Sequence, residues 1–127
     1  MKHINVERAP RPGVPRLPFS DAVEANGTVY FAGRIGLDPQ THRPPADASD
    51  EARLLMDDFR AVVAAAGLRM EDVASVQIFT PDVTLFSAFN EVYLTYFGEN
   101  LPARAFLGSG PLLFGARFEL TAIAVRP

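Results

Sequence analysis

The sequence predicts an α/β (α+β) fold: one mixed β-sheet with two helices stacked on the same face. Three observations carry that prediction. Residues 21–33 hold two short apolar runs that meet at Asn26-Gly27, a dipeptide suited to a type I′ turn because both positions accept positive φ. Two segments whose apolar residues recur at three and four, 47–66 and 83–97, are separated by the strand-like run VASVQIFT at 73–80. The last quarter, residues 101–127, carries two more strand-like runs around a Gly/Pro-rich connection. Hairpin, helix, strand, helix, strand, strand is an order that layers both helices on one side of a sheet. The second side is then left bare.

Each element has its own grounds. Pro10, Pro12, Pro15 and Pro18 exclude a helix near the start. A short strand at 4–7 and an extended arm are expected there, with Val14, Leu17 and Phe19 laid over the sheet. The hairpin strands fall at 21–25 and 28–33. Gly33, Gly36, Pro39, Pro44 and Pro45 then make a long loop, of a length that points to a covering or functional role.

The first helix, 47–66, buries Ala52, Leu55, Met56, Phe59, Val62, Val63 and Ala66. Asp47 or Ser49 caps it, Asp50 and Glu51 suit its positive end, and Gly67 suits its stop. Pro81 ends the strand at 73–80. The second helix, 83–97, carries the stripe Phe86, Phe89, Tyr93 and Phe97. Asn90 lies off the centre of that stripe, either exposed or bonded to something specific, since Asn is a poor interior helix residue. In the last run, 116–125, Phe118, Leu120, Ala122 and Ala124 share one face, and Arg117, Glu119, Thr121, Ile123 and Val125 the other. Tyr30, Phe79 and Ile123 are too apolar to leave in water on a bare sheet, so self-association through that face is expected.

Composition narrows the function. A chain of 127 residues, 48% of them hydrophobic, suits one domain spanning 1–127 with a real core. A net charge of −3 without a basic stripe argues against nucleic-acid binding. The absence of cysteine removes disulfides, thiolate nucleophiles and cysteine metal sites, and His3 and His42 lie too far apart to suggest a metal centre. No apolar stretch has signal-peptide or membrane-span length, so a soluble, cytoplasmic protein is expected. Two charged residues stand where strand interiors are usually apolar, Arg104 and Glu119. On neighbouring strands they would hold an anionic substrate and a water side by side. An ordinary cross-strand ion pair or a solvated sheet edge is the other reading.

The succession PFSDAV, NGTVYFAGRIGLDP, FNEVY, PARAF and FELTAIAV resembles the RidA/YjgF family of reactive-intermediate deaminases (endoribonuclease L-PSP-like proteins) from about residue 9 to residue 126. The resemblance implies a chorismate-mutase-like domain, six strands with two helices on one side, assembled as a homotrimer with ligand clefts between subunits. It implies hydrolysis of 2-imino acids or their enamine tautomers to 2-keto acids and ammonia, with no cofactor and no metal. The partner would be a small-molecule carboxylate, not nucleic acid or membrane. Arg104 matches the arginine that grips the substrate carboxylate, Glu119 the glutamate that holds or activates water, Gly33 a glycine whose backbone faces the cleft, and Asn90 a cleft asparagine.

This chain also departs from the family pattern. Phe19 stands where a cleft tyrosine is frequent and Ala32 where a serine is frequent, so two hydroxyls are missing. Phe106 replaces a small residue, Thr121 replaces a second acid, and Arg34 and Gly36 replace Gln and Pro. These changes imply a bulkier or more apolar ligand than the smallest imino acids. The alternatives are a non-catalytic ligand-binding or regulatory trimer, or a related hydrolase acting on another carbon–nitrogen or enol bond in a catabolic pathway.

Overall fold

A computed structural model of the chain describes residues 1–8 and 16–127. The described residues form six strands and two α-helices: β1 (Lys2–Ile4), β2 (Ala22–Ala25), β3 (Thr28–Ile35), α1 (Ala48–Ala65), β4 (Val73–Thr80), α2 (Phe86–Tyr93), β5 (Ala103–Gly108) and β6 (Glu119–Val125). They form one sheet in the order β1-β2-β3-β6-β4-β5. Among these six strands β4 and β5 pair in parallel, joined through α2 as a crossover helix permits, and the other pairs are antiparallel. The sheet is therefore mixed, as the element order predicts.

Local chemistry explains most boundaries. Asn26 and Gly27 take φ values of 51° and 79° between β2 and β3, the geometry of the expected hairpin turn. The Asp47 carboxylate accepts from the Asp50 N–H at 3.0 Å and caps α1. At the other end Gly67 adopts φ 74° and stops the helix. The β1 strand lies earlier than residues 4–7, because Ile4 pairs with Ala22 while Val6 N–H turns to the Asp21 carboxylate at 3.0 Å. The β3 strand runs to Ile35, two residues into the expected loop, since Ile35 still pairs with Glu119.

The second helix is shorter than its apolar stripe. Single 3₁₀ turns at Val83–Leu85 and Leu94–Tyr96 flank α2. Asp82 caps the first by accepting from Thr84 N–H at 3.0 Å, and Thr95 Oγ1 donates to the Val92 carbonyl at 2.6 Å at the second.

Both helices cover the same sheet face. Phe59 of α1 meets Phe31 edge-on with centroids 5.2 Å apart, and Phe89 of α2 lies 4.8 Å from Phe118. Leu55, Met56, Phe59, Val62, Phe89, Phe118, Leu120 and Ala124 are fully buried there. Gly36 lets the end of β3 approach α1, because a Cβ at that position would overlap the Glu51 carbonyl oxygen.

The opposite face has no covering layer among the described residues. Tyr30 is 50% exposed and Ile123 38% exposed on it, with Phe79 half-buried beside them. A shallow depression of about 240 Å³ between Tyr30, Ser75, Gln77, Thr121 and Ile123 marks its centre. The expected covering arm does not bury its apolar residues: Leu17 and Phe19 are both exposed. Val14 and the prolines at 10, 12 and 15 lie outside the described residues.

Candidate active site

The two charged residues do not stand on neighbouring strands. Strand β4 lies between β5, which carries Arg104, and β6, which carries Glu119. The reason is topological: β5 follows α2 back to a parallel position on β4, while β6 returns antiparallel into the gap between β3 and β4. They also face opposite ways. Arg104 is level with buried Val76 on the helix side, whereas Glu119 aligns with Thr121 and Ile123 on the bare side. Two strand spacings, roughly 10 Å, separate them in the sheet plane. An intrachain ion pair is excluded by this geometry.

The candidate residues fall into two groups. Arg104 and Phe106 of β5 lie against the aromatic rings of α2, the helix that also carries Asn90. The Arg104 guanidinium carbon sits 4.7 Å from the Tyr93 ring centroid and 5.6 Å from those of Phe86 and Phe106. Phe106 in turn packs edge-on against Phe86 at 5.2 Å and lies 5.9 Å from Phe89. Among the described residues, no carboxylate lies within 4.0 Å of Arg104. Two buried oxygens on α2, Asn90 Oδ1 and Tyr93 Oη, have no hydrogen-bond partner among the described residues. Asn90 is thus partly buried and not the exposed residue of the simpler expectation. Burial pushes the Tyr93 phenol up to about 12, against the opposing pull of the Arg104 charge, so it is neutral.

The second group is Glu119, Gly33 and Ala32, whereas Phe19 is exposed on the segment that leads into β2. The β3–β6 register slips by one residue between Phe31 and Arg34, placing a β-bulge at Ala32 and Gly33 opposite Thr121. The Glu119 carboxylate occupies the space that a Gly33 side chain would fill, and a Cβ there would overlap Oε2. Ala32 N–H donates to the Asp21 carbonyl at 3.0 Å, two residues beyond Phe19. Glu119 has no cationic partner among the described residues.

Three further charged groups serve structure. Arg34, which the sequence marks only as a departure, is buried. Its Nη1 donates to Asp58 at 2.6 Å and its Nε to the Ala32 carbonyl at 3.3 Å, so it ties the bulge to α1. Asp21 accepts from Arg8 at 2.8 Å and from Val6 N–H at 3.0 Å. Burial opposes its ionisation, but these bonds and the Arg8 and Arg34 charges outweigh burial and hold its carboxyl below the ordinary value. Glu51, a plausible helix-end charge in the sequence, is fully buried and accepts from Arg117 N–H at 2.6 Å and Arg117 Nη1 at 2.8 Å. Arg117 therefore turns towards α1 and the 45–46 carbonyls, not to the bare face with Glu119. Tyr93 is the neighbour of the site that sequence reasoning passed over. Its signal was position, three residues after Asn90 and so on the same side of α2.

Comparison with known proteins agrees with the geometry of the fold. Residues 9–126 match the model of the endoribonuclease L-PSP family. A RutC family protein of Pyrococcus horikoshii is 35% identical over 124 residues, covering 97% of this chain and 96% of that one. The mouse protein named 2-iminobutanoate/2-iminopropanoate deaminase is 36% identical over 110 residues, 86% of this chain and 82% of its own. The crystal structure of Escherichia coli TdcF with bound serine superposes with a TM-score of 0.87 at 35% identity, covering 100% of both chains. With its sheet order, its motifs and nearly its whole length accounted for in this way, the chain belongs to the endoribonuclease L-PSP family, the RidA/YjgF family that its motifs resemble.

Proposed function

We propose that the protein hydrolyses 2-imino acids, or their enamine tautomers, to 2-keto acids and ammonia. The observation that carries this reading is the state of Arg104: a half-buried guanidinium set among three aromatic rings with no described carboxylate beside it. Such a group is available to a planar carboxylate, which it can grip through two parallel N–H donors. The names of relatives support the chemistry, one a 2-iminobutanoate/2-iminopropanoate deaminase and one, TdcF, crystallised with serine, itself an α-nitrogen carboxylate.

In this reading Arg104 holds the substrate carboxylate and Glu119 positions water. The water oxygen bonds to the electrophilic imine carbon while Glu119 takes one of its protons. Glu119 returns that proton to the nitrogen of the resulting carbinolamine, the carbon–nitrogen bond breaks as ammonia leaves, and the Glu119 carboxylate takes the hydroxyl proton as the carbonyl forms. Because Arg104 and Glu119 face opposite ways in one chain, the working cleft lies between copies, most economically in a homotrimer packed through the bare sheet face. Gly33 lends the cleft its backbone and Asn90 an amide. Phe19, Ala32 and Phe106 leave an apolar lining that favours bulkier side chains.

The test is coupled turnover of 2-iminopropanoate, 2-iminobutanoate and aromatic 2-imino acids generated in situ. Arg104→Ala is expected to weaken use of substrate at least about thirtyfold. Glu119→Gln is expected to lower kcat by about 10²- to 10⁴-fold. Parental turnover in both variants would sink the assignment. A second reading, a ligand-binding trimer without turnover, is favoured by the missing hydroxyls at Phe19 and Ala32. Binding of 2-keto acids without acceleration of any imine would select it.

A further inference from the structure

We infer that Tyr93 is a positioning residue: its ring, with Phe86 and Phe106 at the flanks, fixes the Arg104 guanidinium while leaving its N–H donors free for a ligand carboxylate. The inference rests on the reading of Arg104 as a carboxylate clamp and adds how that clamp is kept ready. The other described arginines that are not exposed show the contrast. Arg34 is held by Asp58 at 2.6 Å, Arg117 by Glu51 at 2.8 Å, and Arg126 by Glu24 at 2.6 Å. Each spends its donors on an internal carboxylate. Arg104 alone among them is held by rings.

A ring can hold a cation without consuming its hydrogen bonds. The attraction comes from the π quadrupole and acts on the charge as a whole, so the N–H groups remain unspent. It also differs from an ion pair in leaving the net charge of the site positive. A guanidinium on a long, unrestrained stem would lose several rotamers on gripping a ligand, and that loss would subtract from affinity. The Tyr93 ring is well placed to prevent this, because it is itself fixed. Tyr93 is buried, with its centroid 4.8 Å from Phe97 and 5.8 Å from Phe89. Phe86, 45% exposed, closes the outer side. The Tyr93 hydroxyl is buried without a partner among the described residues, and it is the ring that faces the guanidinium.

The experiment measures pyruvate and 2-oxobutanoate binding to the full chain by titration calorimetry. The variants are Arg104→Ala, Tyr93→Phe, Tyr93→Leu and Phe86→Leu, with folding checked by thermal melting. Tyr93→Phe keeps the ring and is expected to bind within about twofold of the parent. Tyr93→Leu is expected to bind about threefold to thirtyfold more weakly, the range of one cation–π contact. In turnover it should raise KM more than it lowers kcat. Phe86→Leu, at an exposed position that tolerates the change, should show a smaller loss of the same kind. An upfield ring-current shift of the Arg104 side-chain Nε–H resonance, kept in Tyr93→Phe and lost in Tyr93→Leu, gives the signature of stacking.

The outcomes separate the two ideas. If Arg104→Ala abolishes binding while a folded Tyr93→Leu binds like the parent, the clamp stands and the positioning role is overturned. If Arg104→Ala binds like the parent, the clamp itself falls and the inference with it. Should Tyr93→Leu fail to fold, the parent spectrum and Phe86→Leu decide: an unshifted Arg104 resonance together with parental binding by Phe86→Leu overturns the proposal.

Discussion

Adding one methyl group at Gly33 should disarm Glu119 while leaving the fold nearly untouched. The new Cβ would overlap Glu119 Oε2 and stand 3.3 Å from its Cδ and 3.6 Å from Thr121 Cγ2. Gly33 does not have a positive φ, so Ala meets no backbone strain there. The obstructing atom is the tip of a side chain without a described cationic partner, so the carboxylate retreats and the strand stays. Restoring van der Waals contact needs a movement of roughly 1 Å. An altered side-chain rotamer costs about 1 kcal/mol. A misplacement of about 1 Å in a group that orients a reactant costs about 10²-fold in rate.

Gly36→Ala supplies the contrast. Its Cβ would overlap the Glu51 carbonyl oxygen and stand 3.0 Å from Leu55 N, both backbone atoms of α1 that cannot swing aside. That variant should lose about 3 kcal/mol of stability through forced backbone shifts. Urea denaturation and imine turnover, measured on both variants, check the pair. A Gly33→Ala protein with parental turnover, or one destabilised as much as Gly36→Ala, would refute the reasoning.

Three other outcomes are expected. Glu51→Gln removes a buried charge that Arg117 N–H, Arg117 Nη1 and Phe118 N–H all address. It should cost about 3 kcal/mol in urea denaturation, and a loss below about 1 kcal/mol would show that the clamp between α1 and β6 matters little. Asp21 titrates below 3.8 when folded, so its stabilising contribution is complete above pH 3.8 and fades as pH falls through the lower folded value. Asp21→Asn should therefore be less stable than the parent at pH 7, with the gap closing in acid; a gap that persists at pH 2 would contradict the linkage. Tyr93→Phe removes a buried hydroxyl without a described partner, so thermal melting should find stability unchanged or raised by up to about 1 kcal/mol. A clear loss would reveal a partner for that oxygen.

Much of the fold is legible because its signals are local. Asn26-Gly27 specifies a turn by backbone preference alone, and Asp47 and Gly67 bracket α1 by capping chemistry. The run 73–80 is bounded by Pro81, and the strand keeps those limits. What escapes is whatever depends on which elements become neighbours. Nothing within residues 101–127 says that β6 inserts beside β3 and leaves β5 at the edge, so Arg104 and Glu119 look adjacent in sequence pattern and are not. Glu51 reads as a helix-end charge because its partner, Arg117, is 66 residues away. Arg34 falls just past the expected end of its strand and reads only as a departure from the family pattern, yet Asp58, 24 residues further on, draws it inward. The stripe on α2 likewise gives Tyr93 as core, but only β5 brings a cation over its ring.

The opposed outlook of Arg104 and Glu119 has a consequence for inheritance of function. Under the proposed assembly, no single polypeptide owns a working centre; each lends its helix-side half to one neighbour and its bare-side half to another. Two dead alleles, one lacking Arg104 and one lacking Glu119, could then rescue each other when expressed together. In random mixtures about one junction in four would unite two intact halves. A chain defective in both would do the reverse, spoiling every junction it joined, and would act dominantly over its healthy partners.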